Sequence, residues 1–246
     1  MQELEEELQT AHDMQMRLMP LESPEIEGIE LWGLCLTANH VGGDFFQYFV
    51  QDGRLRVCLA DITGHAMEAA IPAVMFSGIL ENQMEVEGSL EELFGRLNRT
   101  LCRILDDRTF VCLAMGELEL SSRKLRLTNG GCPYPYHYQA ATGEVAELRV
   151  DAYPLGVVAE TEYQAVEIEL APGDRLVFCS DGVIEGANPA EELFGFERTA
   201  EVIRQGCAEG LSVEALIDRL CIAVEAFRNG VPQEDDLTVM VLAVEE

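Results

Sequence analysis

Four acidic positions of this chain share one context. Asp61 ends the apolar run "LRVCLAD" and is followed by Ile62, Thr63, Gly64 and His65. Asp181 ends "RLVFCSD" just ahead of Gly182, Asp44 follows "VGG" and opens "DFFQYFV", and Asp235 and Asp236 immediately precede "LTVMVL". An ionised carboxylate at the inner end of a buried strand is costly unless a cation or hydrogen-bond donors meet it. If the four positions gather at one end of a sheet, their mutual repulsion forces some of them to protonate. A pair of Mg2+ or Mn2+ ions removes that conflict, because hard cations prefer carboxylate and water oxygens. Asp before Gly is also an ordinary turn residue, and Asp52-Gly53, in a polar hairpin tip, is read that way. Independent turns do not account as well for four such positions accompanied by glycines at 42, 43, 64 and 182, which permit close backbone approach.

The elements that must position these carboxylates read as strands and helices in blocks. Residues 2 to 19 read as one helix in which Leu4, Leu8, Ala11, Gln15 and Leu18 recur at spacings of four and three, a coiled-coil seam stopped by Pro20. The seam is equally compatible with an amphipathic helix packing on its own domain and with a dimerising linker. "IELWGLCLTA", "DFFQYFV" and "RLRVCLAD" read as strands, with "QDG" turning the second into the third. Residues 67 to about 84 look helical, with Ile71, Val74, Met75, Gly78 and Ile79 on one side, and Pro72 is expected to end or kink that helix early. "SLEELFGRLNRTLCRIL" opens on Ser89 with Glu92 three residues on, a capping box. "TFVCLAMGELEL" and "KLRLTNGG" read as strands joined by "SSR", and "GGCPYPYHYQAATGEVAELRV" as strands with loops. "AVEIEL", "PGD" and "RLVFCSD" read as a hairpin, residues 189 to 228 as mostly helical, and "DDLTVMVLAV" as a closing strand. Blocks of this kind predict an α+β fold with mainly antiparallel sheets. No repeat or Pro/Ser linker divides residues 21 to 246, which read as one domain after a helical segment at 1 to 20.

Bulk properties narrow the function. The formal net charge is -29, with 16 Lys and Arg against 45 Asp and Glu and no basic cluster, which disfavours nucleic acid and anionic membranes as partners. No run of about 18 apolar residues is present, so no membrane span is expected. The opening "MQELEEELQT" does not read as a secretory signal. Eight Cys sit singly, mostly inside apolar runs and without a CxxC pair, and are read as reduced core residues of a cytoplasmic protein.

Taken together, "VGGDFF", "ADITGH" followed by "EAA", "TNGGCPYP", "YPLGVV", "GDRLVFCSDGVIEGANPAEELFG" and "EDDLTVMVL" occur in an order that resembles the PPM-type, metal-dependent Ser/Thr protein phosphatases, in their bacterial SpoIIE/RsbU-like branch. The matching pieces span nearly all of residues 20 to 246. The resemblance implies an α-β-β-α sandwich of two antiparallel sheets flanked by helices. It implies that Asp44 and Asp61 hold two divalent cations, Mn2+ or Mg2+, with the Ile62 carbonyl assisting, and that Asp181 and Asp235 complete one ion's shell. Asp236 matches a position of variable charge in the family, and the "DDLT" pair leaves a one-residue ambiguity between Asp235 and Asp236. The chain departs from the family in carrying Gly64-His65-Ala66 for "GHG" and "NGGC" at 129 to 132 for "NAGH"; neither change touches an implied metal ligand.

The expected chemistry follows from such a cluster. Two ions roughly 3.5–4 Å apart hold a bridging water and lower its pKa towards neutrality. That water attacks the phosphorus of a phosphoserine or phosphothreonine in line with the leaving oxygen, while the ions offset charge on the equatorial oxygens. His65 is a candidate donor to the leaving oxygen, although a His at a helix start more often hydrogen-bonds locally. The one CxxxxxR spacing, Cys102 to Arg108, begins inside the helix read from Ser89 and carries Asp106 and Asp107, so it does not read as a phosphate-cradling loop, which argues against a cysteine phosphatase. The resemblance further implies a phosphorylated regulatory protein, of the kind that controls sigma factors by partner switching, as substrate. It also implies an upstream sensory or receiver domain reached through the 2–20 helix, while the seam of that helix points to a homodimer through it. A catalytically silent phosphatase fold serving as a binding scaffold is the alternative in another class. A metal-dependent phosphodiesterase or nuclease is disfavoured by the charge.

Overall fold

A strand with apolar side chains on both faces needs cover on both, and this chain contains several. The computed structural model describes residues 2–64 and 66–245, with side chains from residue 6 onward. In chain order the elements are α1 (Gln2–Met16), β1 (Ile29–Leu36), β2 (Phe45–Gln51), β3 (Arg54–Ile62), α2 (Met67–Met84) and α3 (Leu90–Ile104). Four strands follow: β4 (Val111–Glu119), β5 (Lys124–Gly130), β6 (Tyr136–Gln139) and β7 (Glu144–Glu147). Then come β8 (Val166–Glu169), β9 (Arg175–Cys179), the single turn α4 (Asp181–Ile184), α5 (Gly195–Ala208), α6 (Val213–Arg228) and β10 (Leu237–Val244).

Two five-stranded sheets result, ordered β1-β10-β9-β6-β7 and β2-β3-β4-β5-β8. All of their strand pairs are antiparallel. β10 shows why the fold is layered. Met240, Leu242 and Val244 join the core that runs between the sheets, whereas Leu237, Val239, Val241 and Ala243 pack with residues of α5 and α6. On the other side α2 and α3 bury Phe76, Leu80, Phe94, Leu97 and Leu101 in the same core as β3 and β4. The architecture is the expected α-β-β-α sandwich. All eight cysteines are free.

Several local readings hold for their stated reasons. The β2–β3 hairpin turns on Asp52 and Gly53, both at positive φ (51° and 74°), the geometry that suits Asp-Gly. At the start of α3, Glu92 donates its amide to Ser89 Oγ and its carboxylate accepts the Ser89 amide, a complete capping box.

Three readings are corrected. The "PGD" segment does not close a hairpin: β8 pairs with β5 in one sheet and β9 with β10 and β6 in the other, so the chain changes sheets there. Asp174 sits at that crossing, accepting the amides of Ala140 and Ala171 and meeting His137 Nε2 at 2.9 Å. Pro72 does not end α2, which runs on to Met84. Proline costs one amide bond near the helix start, while Ala69, Ala73, Phe76 and Leu80 bury farther along. The buried face of α2 is also the opposite one, leaving Ile71 67% and Val74 51% exposed.

The seam of α1 turns inward at its end. Gln15 is buried, Leu8, Ala11 and Leu18 are half-buried, and Leu4 lies outside the described side chains. The Gln15 carboxamide donates to the Gly42 carbonyl and accepts the Gly42 amide, and Gln47 Nε2 donates to the Leu18 carbonyl.

Candidate metal centre

Strand register brings the acidic positions to one end of both sheets. Phe45 stands opposite Ala60 and Asp61 opposite Cys112 in one sheet; Leu36 stands opposite Leu237 and Cys179 opposite Val239 in the other. The start of β2, the end of β3, the end of β9 and the start of β10 therefore meet. Asp44, Asp61, Asp181 and Asp235 come from these four segments.

Asp236 ties the sheets together there, and a Gly43–Ile62 bond extends the β2–β3 ladder within one sheet. Asp236 accepts the Ala38 amide through Oδ1 at 2.9 Å and the Asp44 amide through Oδ2 at 3.3 Å. The Ile62 amide donates to the Gly43 carbonyl at 3.3 Å. The approach is so close that side chains are excluded. A β-carbon on Gly42 would stand 1.6 Å from Asp236 Oδ2, one on Gly43 2.3 Å from the Ile62 carbonyl oxygen, and one on Gly182 2.0 Å from the Asp236 carbonyl oxygen. Gly64 serves differently, turning the chain at φ +112°.

The carboxylates act on one another. Burial raises Asp61 to about 7, and the charges of Asp181, Asp235, Asp236 and Glu185 add to the rise. Asp181 is pushed up to about 6 by burial and by Asp235 and Glu185. Asp44, almost wholly buried, is held well above the usual carboxylate range by desolvation first and by Asp61 next. None of the leading influences on these three groups is a lysine or arginine.

The residues fit hard divalent cations. Asp44 is 2% exposed, and its Oδ2 has no hydrogen-bond partner, an arrangement that costs free energy in a sealed site unless a positive group meets it. The surrounding donors are carboxylate and carbonyl oxygens, the set that Mg2+ and Mn2+ prefer. Among the described residues, no three His, Cys, Asp or Glu side chains stand close enough to form a ready ion cage. Asp236 is turned to the Ala38 and Asp44 amides, and Ile62 offers a main-chain oxygen beside Gly43.

The "DDLT" ambiguity acquires a physical shape. Asp236 is buried and committed to the Ala38 and Asp44 amides. Asp235 is exposed, accepts the Asp236 amide at 2.8 Å, and acts electrostatically on both Asp61 and Asp181. Sequence reading missed Glu185, which acts on the same two carboxylates. Its signal is the spacing in "SDGVIE", one helical turn beyond Asp181. His65 lies outside the described residues.

Comparison with known proteins agrees with this architecture. The SiaA-PP2C domain of Pseudomonas aeruginosa superposes with a TM-score of 0.87 at 21% identity, over 98% of this chain and 97% of that one. The catalytic domain of the serine/threonine protein phosphatase PstP, in a complex with two manganese ions, gives 0.62 at 16% identity, over 89% of this chain and 100% of its own. The fold is thus that of the PP2C phosphatases. A family model, Stage II sporulation protein E (SpoIIE), matches residues 51–245, and the chain belongs to that family. Phosphoserine phosphatase RsbU of Bacillus subtilis is 21% identical over 184 residues, 75% of this chain and 55% of RsbU. The chain spans about half the length of the curated relatives it matches.

Proposed function

We propose that this chain hydrolyses phosphoserine or phosphothreonine on a regulatory protein, using two divalent cations, Mn2+ or Mg2+. The observation that carries the reading is the meeting of Asp44, Asp61, Asp181 and Asp235 from both sheets, with no lysine or arginine among the leading influences on Asp44, Asp61 and Asp181. Asp44, Asp61, the Ile62 carbonyl, Asp181 and Asp235 would hold the ions. When bound, such ions supply Lewis-acid polarisation of a phosphoryl oxygen and a water of lowered pKa. The chain's own part is to fix the oxygens: Asp236 braces the 38–44 loop, and the glycines let it close on Ile62. Membership of the SpoIIE family and similarity to RsbU, which is named a phosphoserine phosphatase, support the substrate class. An anti-sigma-antagonist-like protein is the proposed partner, and regulation through α1 is the proposed control, because Gln15 grips Gly42 two residues from Asp44.

The test is hydrolysis of p-nitrophenyl phosphate and of a phosphoserine peptide with and without Mn2+, with Asp61→Ala as control. Manganese-dependent turnover that the substitution abolishes is expected. Turnover unaffected by chelation or by Asp61→Ala overturns the reading, and peptide binding without turnover favours the scaffold.

A further inference from the structure

A cleft of about 670 Å³ opens beside the carboxylate end. Its near wall is the turn after β5, where Asn129 Nδ2 donates to the Cys132 carbonyl and Asn129 Oδ1 accepts the Cys132 amide. That wall is shared with the candidate centre. Asp61, Asp44 and Asp181 all act on the buried Cys132 thiol, and a β-carbon on Gly131 would stand 3.2 Å from the sulfur of Cys112, the residue paired with Asp61. The far wall is the 148–165 segment between β7 and β8, which contributes Asp151, Tyr153, Glu160 and Glu162.

The far wall is built rather than loose. Asn98 of α3, fully buried, donates to the carbonyls of Val158 and Ala159 and accepts the Gly156 amide. The Leu155 backbone exchanges two hydrogen bonds with Val111, and Tyr163, its ring tilted 58° against that of Phe94, donates to the Tyr153 carbonyl. Tyr134 donates to Asp151. These anchors leave Tyr153 itself 61% exposed on the rim.

Charge sets this cleft apart. Two others of similar volume, about 620 and 690 Å³, mix both signs, with Arg54, Arg56, Lys124 and Arg126 among carboxylates in one and Arg149 and Arg198 beside Glu147 and Glu197 in the other. The cleft beside the centre is lined by three carboxylates and two tyrosines and by no lysine or arginine. Tyr153, exposed beside Glu160 and Glu162, suits a cation on a polypeptide through both ion pairing and the ring face, whereas Tyr134 already holds Asp151 and has the chain's own Arg149 at 5.8 Å from its ring.

We infer that this cleft holds the stretch of substrate polypeptide flanking the phosphorylated residue and reads a lysine or arginine on it. The inference rests on the phosphatase reading of the adjoining centre. Because the cleft shares a wall with that centre, the basic residue flanks the phosphorylated one in the substrate sequence.

Phosphoserine peptides that differ only by Lys or Glu at each flanking position test it. Turnover by the Mn2+-loaded protein and binding of fluorescent dephospho-peptides by anisotropy are both read. The wild type should favour the best Lys peptide over its Glu counterpart about tenfold in kcat/KM, mainly through KM, and about as much in binding. The doubly substituted Glu160→Gln, Glu162→Gln protein, changed only at exposed positions, should bring both ratios near unity and leave p-nitrophenyl phosphate turnover unchanged. Equal handling of Lys and Glu peptides, or a preference that survives the double substitution, overturns the inference. If nothing is hydrolysed with Mn2+ yet the binding preference is present and lost in the variant, the cleft stands and the phosphatase reading falls instead.

Discussion

Strand β3 begins and ends among charges, and its two ends solve the same problem in opposite ways. At its start Arg54 and Arg56 lie in a ladder that crosses the sheet: Arg56, Glu117, Arg126 and Glu167 are successive partners, and so are Arg54, Glu119, Lys124 and Glu169. Glu117, buried, meets Arg56 Nε at 2.6 Å, and Arg126 meets Glu91 at 2.6 Å. At the other end Asp61 has carboxylates for neighbours and is raised to about 7. The chain thus has the means to neutralise a buried acid internally and uses it only where no chemistry is proposed. On the proposed reading, divalent cations balance the acidic end.

Substitutions can break this contrast. Asp61→Asn should cut Mn2+-dependent p-nitrophenyl phosphate turnover by more than about 100-fold, beyond the cost of losing a supporting group. The metal-free variant should melt no lower than wild type at pH 8, since a repelling charge has been removed. A lower melting temperature would mean that Asp61 is held by partners of the ladder kind. Glu117→Ala should do the reverse, costing about 2–3 kcal/mol in urea unfolding because Arg56 is left without its partner, with turnover of the folded enzyme unchanged.

Acidity sharpens the same contrast. Asp61 and Asp181 protonate more readily in the folded chain than in the unfolded one, at about 7 and about 6. The folded state therefore binds more protons between the ordinary carboxylate value and pH 7, so stability of the metal-free protein falls as pH rises through that window. A loss of about 2 kcal/mol, or roughly 5 °C in Tm, is expected between pH 5 and 8, with Mn2+ restoring it at pH 8. A flat profile in chelator would show that the carboxylates do not face one another.

The smallest expected effect concerns α1. Gln15→Ala removes both bonds to Gly42 and should cost about 1–2 kcal/mol while raising the Mn2+ concentration for half-maximal activity severalfold. If neither that change nor deletion of residues 1–19 alters metal response, control through the helix is excluded.

Much of this arrangement was legible in the residues, and the failures share a cause. The strand-end aspartates, the Asp52-Gly53 turn and the Ser89 box are local signals, and the structure places them as read. The pairing of β8 and β9 was not legible, because "PGD" turns the chain equally well whether the next strand returns alongside or enters another sheet. The buried face of α2 was misread because Ile71 and Val74 are more apolar than the small Ala69, Ala70 and Ala73 that let the helix sit close to β3. Asp235 and Asp236 are chemically identical in sequence, and only the amides of Ala38 and Asp44 separate their roles. Glu185 lacked the strand-end context that marked the others.

One feature of the topology bears on how the protein is made. Among the described strands β1 has β10 as its one neighbour in the sheet, and its last residue, Leu36, waits for Leu237, about two hundred residues later. At about 5–20 residues per second on the ribosome, that interval is roughly 10–40 seconds. Throughout it the apolar edge of β1 is an open template for mispairing, so a nascent chain of this fold needs sheltering until translation has passed β10.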